Sequence, residues 1–164
     1  MSASPVSKQT INRRQVFSAV WGLSLFALFG QFGSAVFQFL KPRIAEGGFG
    51  SKVTAGRAKE FKNGTVSYVQ EGRFYVSRLD DGGFLAIWQR CTHLGCTVPY
   101  RKDVKQFMCP CHSSVFNTKG EVISGPAPRP MDIFPITIVD GQLIVDTSQA
   151  ITREKFDTSQ LTRA

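Results

Sequence analysis

The hydrophobic pattern of the chain changes once, near residue 41. Residues 16–40 form a run of 25 positions without a charged side chain. As an α-helix such a run spans roughly 37 Å at ~1.5 Å per residue, more than the ~30 Å hydrocarbon core of a bilayer. A signal-peptide core takes only ~7–15 residues, so the run reads as an uncleaved transmembrane anchor. Gln31 lies within it as a polar side chain suited to a partner helix, and Gly22, Gly30, Gly33 and Ser34 offer small faces for close packing. Pro42 is expected to end the helix. Glu46-Gly47-Gly48-Phe49-Gly50-Ser51 then has three glycines in four residues, and residues 41–57 read as a flexible tether.

From residue 58 short runs of β-formers alternate with turn residues. Residues 65–70 and 73–79 are two such runs. Asp80-Asp81-Gly82-Gly83 is a hairpin signal, and 84–89 is the return strand. Residues 106–108, 114–116 and 121–123 follow, then 133–139 and 142–145 around Asp140-Gly141. No segment carries a helical period. The pattern predicts an all-β antiparallel head, a sandwich or small barrel over 58–147, behind one N-terminal transmembrane α-helix. The polar residues 148–164 pack as a short helix or strap, or form a mobile tail.

Charge supports this division. The formal net charge is +8; residues 1–57 carry seven Lys/Arg against one acid, and residues 58–164 carry thirteen against eleven. The basic excess therefore flanks the apolar run, as expected at a membrane, and the head has no aromatic-and-basic surface for nucleic acid. Residues 1–15 are polar and end in Arg13-Arg14-Gln15. Paired arginines before an apolar segment read as a twin-arginine export signal, a route that carries folded proteins. The positive-inside rule adds a weak push toward a cytoplasmic N-terminus.

The candidate chemistry is concentrated in two loops. Cys91-Thr92-His93-Leu94-Gly95-Cys96 is followed, after twelve residues, by Cys109-Pro110-Cys111-His112-Ser113-Ser114, and these hold all four cysteines and both histidines of the chain. Thiolate and imidazole suit zinc and iron–sulfur centres. Cys91, His93, Cys109 and His112 would complete a zinc site but leave Cys96 and Cys111 over, one per loop. That leftover pair suggests a disulfide and hence an oxidising compartment.

These two motifs resemble the Rieske iron–sulfur proteins of quinol-oxidising cytochrome bc-type complexes, and Gly125-Pro126-Ala127-Pro128 is similar to that family's proline loop over the cluster. The resemblance implies one Rieske-type [2Fe–2S] cluster, in which two histidines replace two cysteines on one iron. Cys91 and Cys109 would hold the inner iron, and His93 and His112 the outer one. Cys96 and Cys111 would form the disulfide, and the Ser114 hydroxyl would hydrogen-bond a bridging sulfide. It also implies that His112 meets quinol in a cytochrome b-type subunit, His93 sharing the exposed iron, and that the electron passes to a c-type cytochrome. Leu94 would shape the docking surface, and the tether would let the head swing. The expected location is the bacterial inner membrane, single-pass, with the head periplasmic.

The chain departs from the family at two positions. Ser113 stands where the family usually has Gly, and Phe116 where high-potential members have Tyr. A lost Tyr hydroxyl implies a lower potential, suited to menaquinol. The alternatives are the Rieske small subunit of a molybdenum oxidase such as arsenite oxidase, which the Ser114-Val115-Phe116 run also fits, and a structural zinc protein.

Overall fold

A computed structural model describes residues 12–41 and 49–164. The chain divides into an N-terminal helical unit and a C-terminal β unit.

Helix α1 spans Arg13–Leu40. It begins three residues ahead of the apolar run because Asn12 caps it. The Asn12 side chain accepts from the Arg14 amide at 3.4 Å, and the Asn12 amide donates to Gln15 Oε1 at 3.1 Å. Inside the helix Ser18 and Ser24 donate to the carbonyls of Arg14 and Val20, so each hydroxyl is satisfied within its own segment, as hydrocarbon requires. No residue of α1 is buried. Phe26 and Phe39 are 80% and 88% exposed. A helix apolar on every side needs an apolar surrounding, and α1 is the one helix among the described residues long and apolar enough to cross a membrane.

The β unit contains three antiparallel sheets. The first joins β1 (Lys52–Arg57), β11 (Gln142–Asp146) and β10 (Ile136–Val139) in that order. The second has the order β2 (Thr65–Val69), β3 (Phe74–Arg78), β4 (Phe84–Trp88) and β9 (Ile133–Phe134). The third is β5 (Tyr100–Arg101), β6 (Gln106–Met108), β7 (Val115–Phe116) and β8 (Val122–Ser124).

The second sheet is the middle layer. Leu85 and Ile87 of β4, with Tyr75 of β3, pack into one core with Val98, Phe107, Phe116 and Met131. Phe84 and Ala86, with Phe74 and Val76, pack into another with Val53, Phe134, Leu143 and Val145. Alternate side chains thus serve opposite cores, which is why β3 and β4 are buried along nearly their whole length and read as continuous apolar runs.

Two readings change in the folded chain. Lys52–Arg57, read as tether, is strand β1, paired with β11 from Lys52↔Asp146 to Arg57↔Gln142. The glycine-rich part of the tether, 42–48, lies outside the described residues, as does the polar segment 1–11. The run 133–139, read as one strand, is two strands in different sheets: Pro135 has no N–H to donate, and the chain changes sheets there.

The C-terminal residues form a strap. Ile151 exchanges backbone hydrogen bonds with Ile133, and Thr162 with Phe84. Arg153 is buried and donates Nε to the Met131 carbonyl at 2.7 Å, one terminal nitrogen to Gln160 Oε1 at 3.0 Å and the other to the Lys119 carbonyl. Burial lowers its pKa to about 10, so it stays cationic near neutral pH.

Candidate metal centre

Both cysteine–histidine motifs lie in loops carried by the sheets just described. Residues 91–96 follow β4, and residues 109–114 connect β6 to β7. Their backbones close in the same way. In the first, the Gly95 amide donates to the Cys91 carbonyl at 2.9 Å and the Cys91 amide to the Cys96 carbonyl at 2.8 Å. In the second, the Ser113 amide donates to the Cys109 carbonyl at 3.1 Å and the Cys109 amide to the Ser114 carbonyl at 2.8 Å. Each loop therefore needs its fifth residue turned left-handed: φ is +78° at Gly95 and +57° at Ser113. The Gly-to-Ser departure seen in the sequence falls at a position of positive φ, where a non-glycine residue costs of order 1–2 kcal/mol.

Superposing these patterns places Cys91 opposite Cys109 at the first position and Gly95 opposite Ser113 at the fifth. Cys91 and Cys109 are both buried and unbridged. Cys96 and Cys111 form a disulfide between the loops, with Cα atoms 6.7 Å apart. The Sγ atoms of Cys96, Cys109 and Cys111 lie within 4.8 Å of one another. The His93 and His112 rings meet edge to face, with centroids 4.9 Å apart. His93 is half-buried and His112 exposed. The four unbridged donors are thus graded from two sulfurs inside to two imidazoles outside.

A third segment closes over the second loop. Gly125 has φ +96°, and a Cβ there would lie 2.5 Å from the Ser114 Cα and 2.8 Å from the Ser113 carbonyl oxygen. Only a residue without a side chain allows this approach. Ala127 is buried behind it. Thr92 of the first loop donates to the Arg129 carbonyl at 2.6 Å, and Arg129 is held by an ion pair with Asp132. All three segments are therefore tied together.

The donor set fits an iron–sulfur centre. Burial pushes the Cys91 thiol up, against the lowering effect of a hydrogen bond from the His93 backbone, and the neighbouring Cys109 raises it further. A sulfur raised in this way becomes a thiolate only with a cation to balance it. The Ser114 hydroxyl is fully buried. It lies near enough to Cys91 to lower that thiol's pKa, yet it meets no protein acceptor at hydrogen-bonding geometry. A buried donor without a partner is costly, and a sulfur of a bound cluster would satisfy it. Leu94 projects from the first loop beside His93 and is 69% exposed.

Sequence reasoning brought the two loops and the proline loop together correctly. It did not find the clasp between Thr92 and Arg129, or the burial of Arg153. A lone polar residue in a polar stretch carries no pattern that separates it from a solvated one.

Comparison with known proteins follows this geometry. The Rieske [2Fe-2S] domain matches residues 51–135. The chain is 32% identical over 166 residues to the cytochrome b6-f complex iron-sulfur subunit of Gloeobacter violaceus, covering 88% of each chain. It is 33% identical over 143 residues to the subunit of that name from Prochlorococcus marinus, covering 79% of this chain and 78% of the relative. Among solved structures, naphthalene 1,2-dioxygenase aligns with 62% of this chain and 27% of its own, at a TM-score of 0.51 and 19% identity, a likeness of fold alone.

Proposed function

The chain belongs to the Rieske [2Fe–2S] domain family, with a [2Fe–2S] cluster as its cofactor, and from that premise we propose that it is the membrane-anchored iron–sulfur subunit of a cytochrome bc-type complex. In this reading it takes an electron with a proton from quinol at a cytochrome b-type subunit and delivers the electron to a c-type cytochrome. The observation that carries the reading is the graded donor set: two buried unbridged cysteines, two outer histidines, and a disulfide locking their loops.

Cys91 and Cys109 would hold the inner iron, and His93 and His112 the outer one. When bound, the cluster supplies a one-electron acceptor whose ligated imidazoles become more acidic on oxidation. The exposed His112, holding the outer iron through one ring nitrogen, would leave the other free to accept the hydrogen bond of a quinol hydroxyl and then its proton. Burial of Cys91 and Cys109 excludes water from the inner side. The Cys96–Cys111 disulfide holds His93 and His112 at one tip, so that both imidazoles face the same partner. Leu94, exposed beside His93, offers that partner an apolar contact.

Two details narrow the reading. Ser114 provides one hydroxyl donor to the site, whereas Phe116 is fully buried, pairs with Phe107 and has no hydroxyl to give. Fewer donors leave the reduced state less stabilised, which favours a lower potential and menaquinol as reductant. The disulfide calls for an oxidising compartment, and Arg13-Arg14 precede the apolar run. Both support a periplasmic head on a bacterial inner membrane.

The test is a redox titration of the purified full chain followed by electron paramagnetic resonance. A rhombic signal with an average g below that of all-cysteine clusters is expected, with a midpoint that rises in Phe116→Tyr. A metal-loaded sample without such a signal ends this reading in favour of zinc. Copurification with a b-type cytochrome supports the assembly, and copurification with a molybdopterin subunit overturns it.

A further inference from the structure

The residue that enters the first cluster loop is an arginine, and its surroundings give it a role. The backbone of Arg90 bridges that of Thr97, closing the loop at its base. Its guanidinium carbon lies 4.9 Å from the centroid of the Trp88 ring. The same guanidinium lies against Gly95: a Cβ at Gly95 would meet Arg90 Nε at 3.1 Å and Nη2 at 3.4 Å. Trp88 is itself held in place, stacked on Phe49 at 5.8 Å and tilted against Phe134 at 5.5 Å. Among the described residues no carboxylate forms an ion pair with Arg90. The second loop has no counterpart, since Met108 precedes Cys109.

We propose that Arg90 is a positioning residue for the first cluster loop. Its flat guanidinium rests on Trp88 and supports the backbone at Gly95, holding the turn that carries His93. Its unpaired positive charge also favours the reduced, more negative state of the centre. Planarity serves the first task and charge the second. Lysine can supply the charge but cannot stack as a plane. This inference rests on the assignment of Cys91 and His93 as ligands.

The test uses the cluster-loaded full chain in detergent, with Arg90→Gln and Arg90→Lys. Two quantities are read: the midpoint by redox titration, and amide hydrogen exchange at residues 91–96. Arg90→Gln is expected to lower the reduction equilibrium constant roughly threefold, ~28 mV for one electron, and to speed exchange at Gly95 and Cys96. Because Arg90 is exposed, the potential difference shrinks in high salt. Arg90→Lys restores the midpoint but not the slow exchange. A midpoint unmoved by Arg90→Gln overturns the charge role, and unchanged exchange overturns the positioning role. If the unaltered chain shows no two-histidine [2Fe–2S] signal, the ligand assignment fails instead, while exchange in the loop still reports whether Arg90 holds it.

Discussion

The two cluster loops share one backbone and fill it differently. Each closes with the same pair of hydrogen bonds and turns left-handed at its fifth residue. The first puts glycine there and ends on Cys96, which leaves the loop as half of the disulfide. The second puts Ser113 there and ends on Ser114, whose hydroxyl turns inward without a protein partner. The first loop is supported from outside the site by Arg90 and clasped through Thr92 to Arg129. The second is covered by the close approach of Gly125. One turn geometry thus serves two purposes. The first loop is built for unstrained closure, and the second tolerates backbone strain while offering a buried donor to the centre.

The disulfide is the strongest link between the loops, and its removal should separate them most. It closes a separation of 15 residues, worth about 3 kcal/mol. Cys96→Ser with Cys111→Ser should lower the unfolding free energy from urea titration by that amount and speed cluster loss. A loss well under ~1 kcal/mol would mean that the strap and the proline loop, not the disulfide, hold the loops together.

Gly95→Ala comes next. It places a side chain at φ +78° and against the Arg90 guanidinium, and should cost about 1–2 kcal/mol in equilibrium unfolding. A neutral result would show that the first loop does not need the left-handed turn to fold.

Ser114→Ala should split by state. In the metal-free chain it removes a buried donor without a partner and should be neutral or stabilising by up to about 1 kcal/mol. In the loaded chain it should lower the midpoint. Destabilisation of the metal-free chain would place a protein partner on that hydroxyl and make its role structural.

Ser113→Gly should give the smallest change. Relief of the left-handed strain is partly offset by glycine's greater freedom in the unfolded chain, leaving about 0.5 kcal/mol of stabilisation by thermal unfolding. Together with Gly95→Ala it asks whether the two loops are interchangeable at their fifth residue: opposite signs support the equivalence, and equal signs break it.

Much of this was legible in the chain. Residues 84–89 read as the return strand after the Asp80-Asp81-Gly82-Gly83 turn, and β4 occupies Phe84–Trp88. The leftover cysteine pair signalled a disulfide, and Cys96 is bonded to Cys111. Strand β1 was hidden because Lys52-Val53-Thr54-Ala55-Gly56-Arg57 follows a glycine-rich stretch and contains a glycine itself. Its pairing shifts register between Thr54 and Gly56, a bulge that blurs the alternation on which a strand is recognised. Arg153 was hidden because a charged residue in a polar tail ordinarily stays in water, and its burial depends on carbonyls at Met131 and Lys119 that reach it only in the folded chain.

By itself the sequence determined what local chemistry and periodicity can carry: an apolar helix long enough for a membrane, an all-β head, and two loops of sulfur and nitrogen donors at cluster spacing. The tertiary structure decided what depends on distance between remote segments. It set the 6.7 Å Cα separation at which Cys96 and Cys111 bond while Cys91 and Cys109 stay buried and free, because that follows from how the loops face one another. It set the left-handed turn at Ser113, because φ follows from the hydrogen bonds that close the loop. And it brought Gly125 to Ser114 and Arg90 to Gly95, since close packing between segments is settled only when the whole head has folded around them.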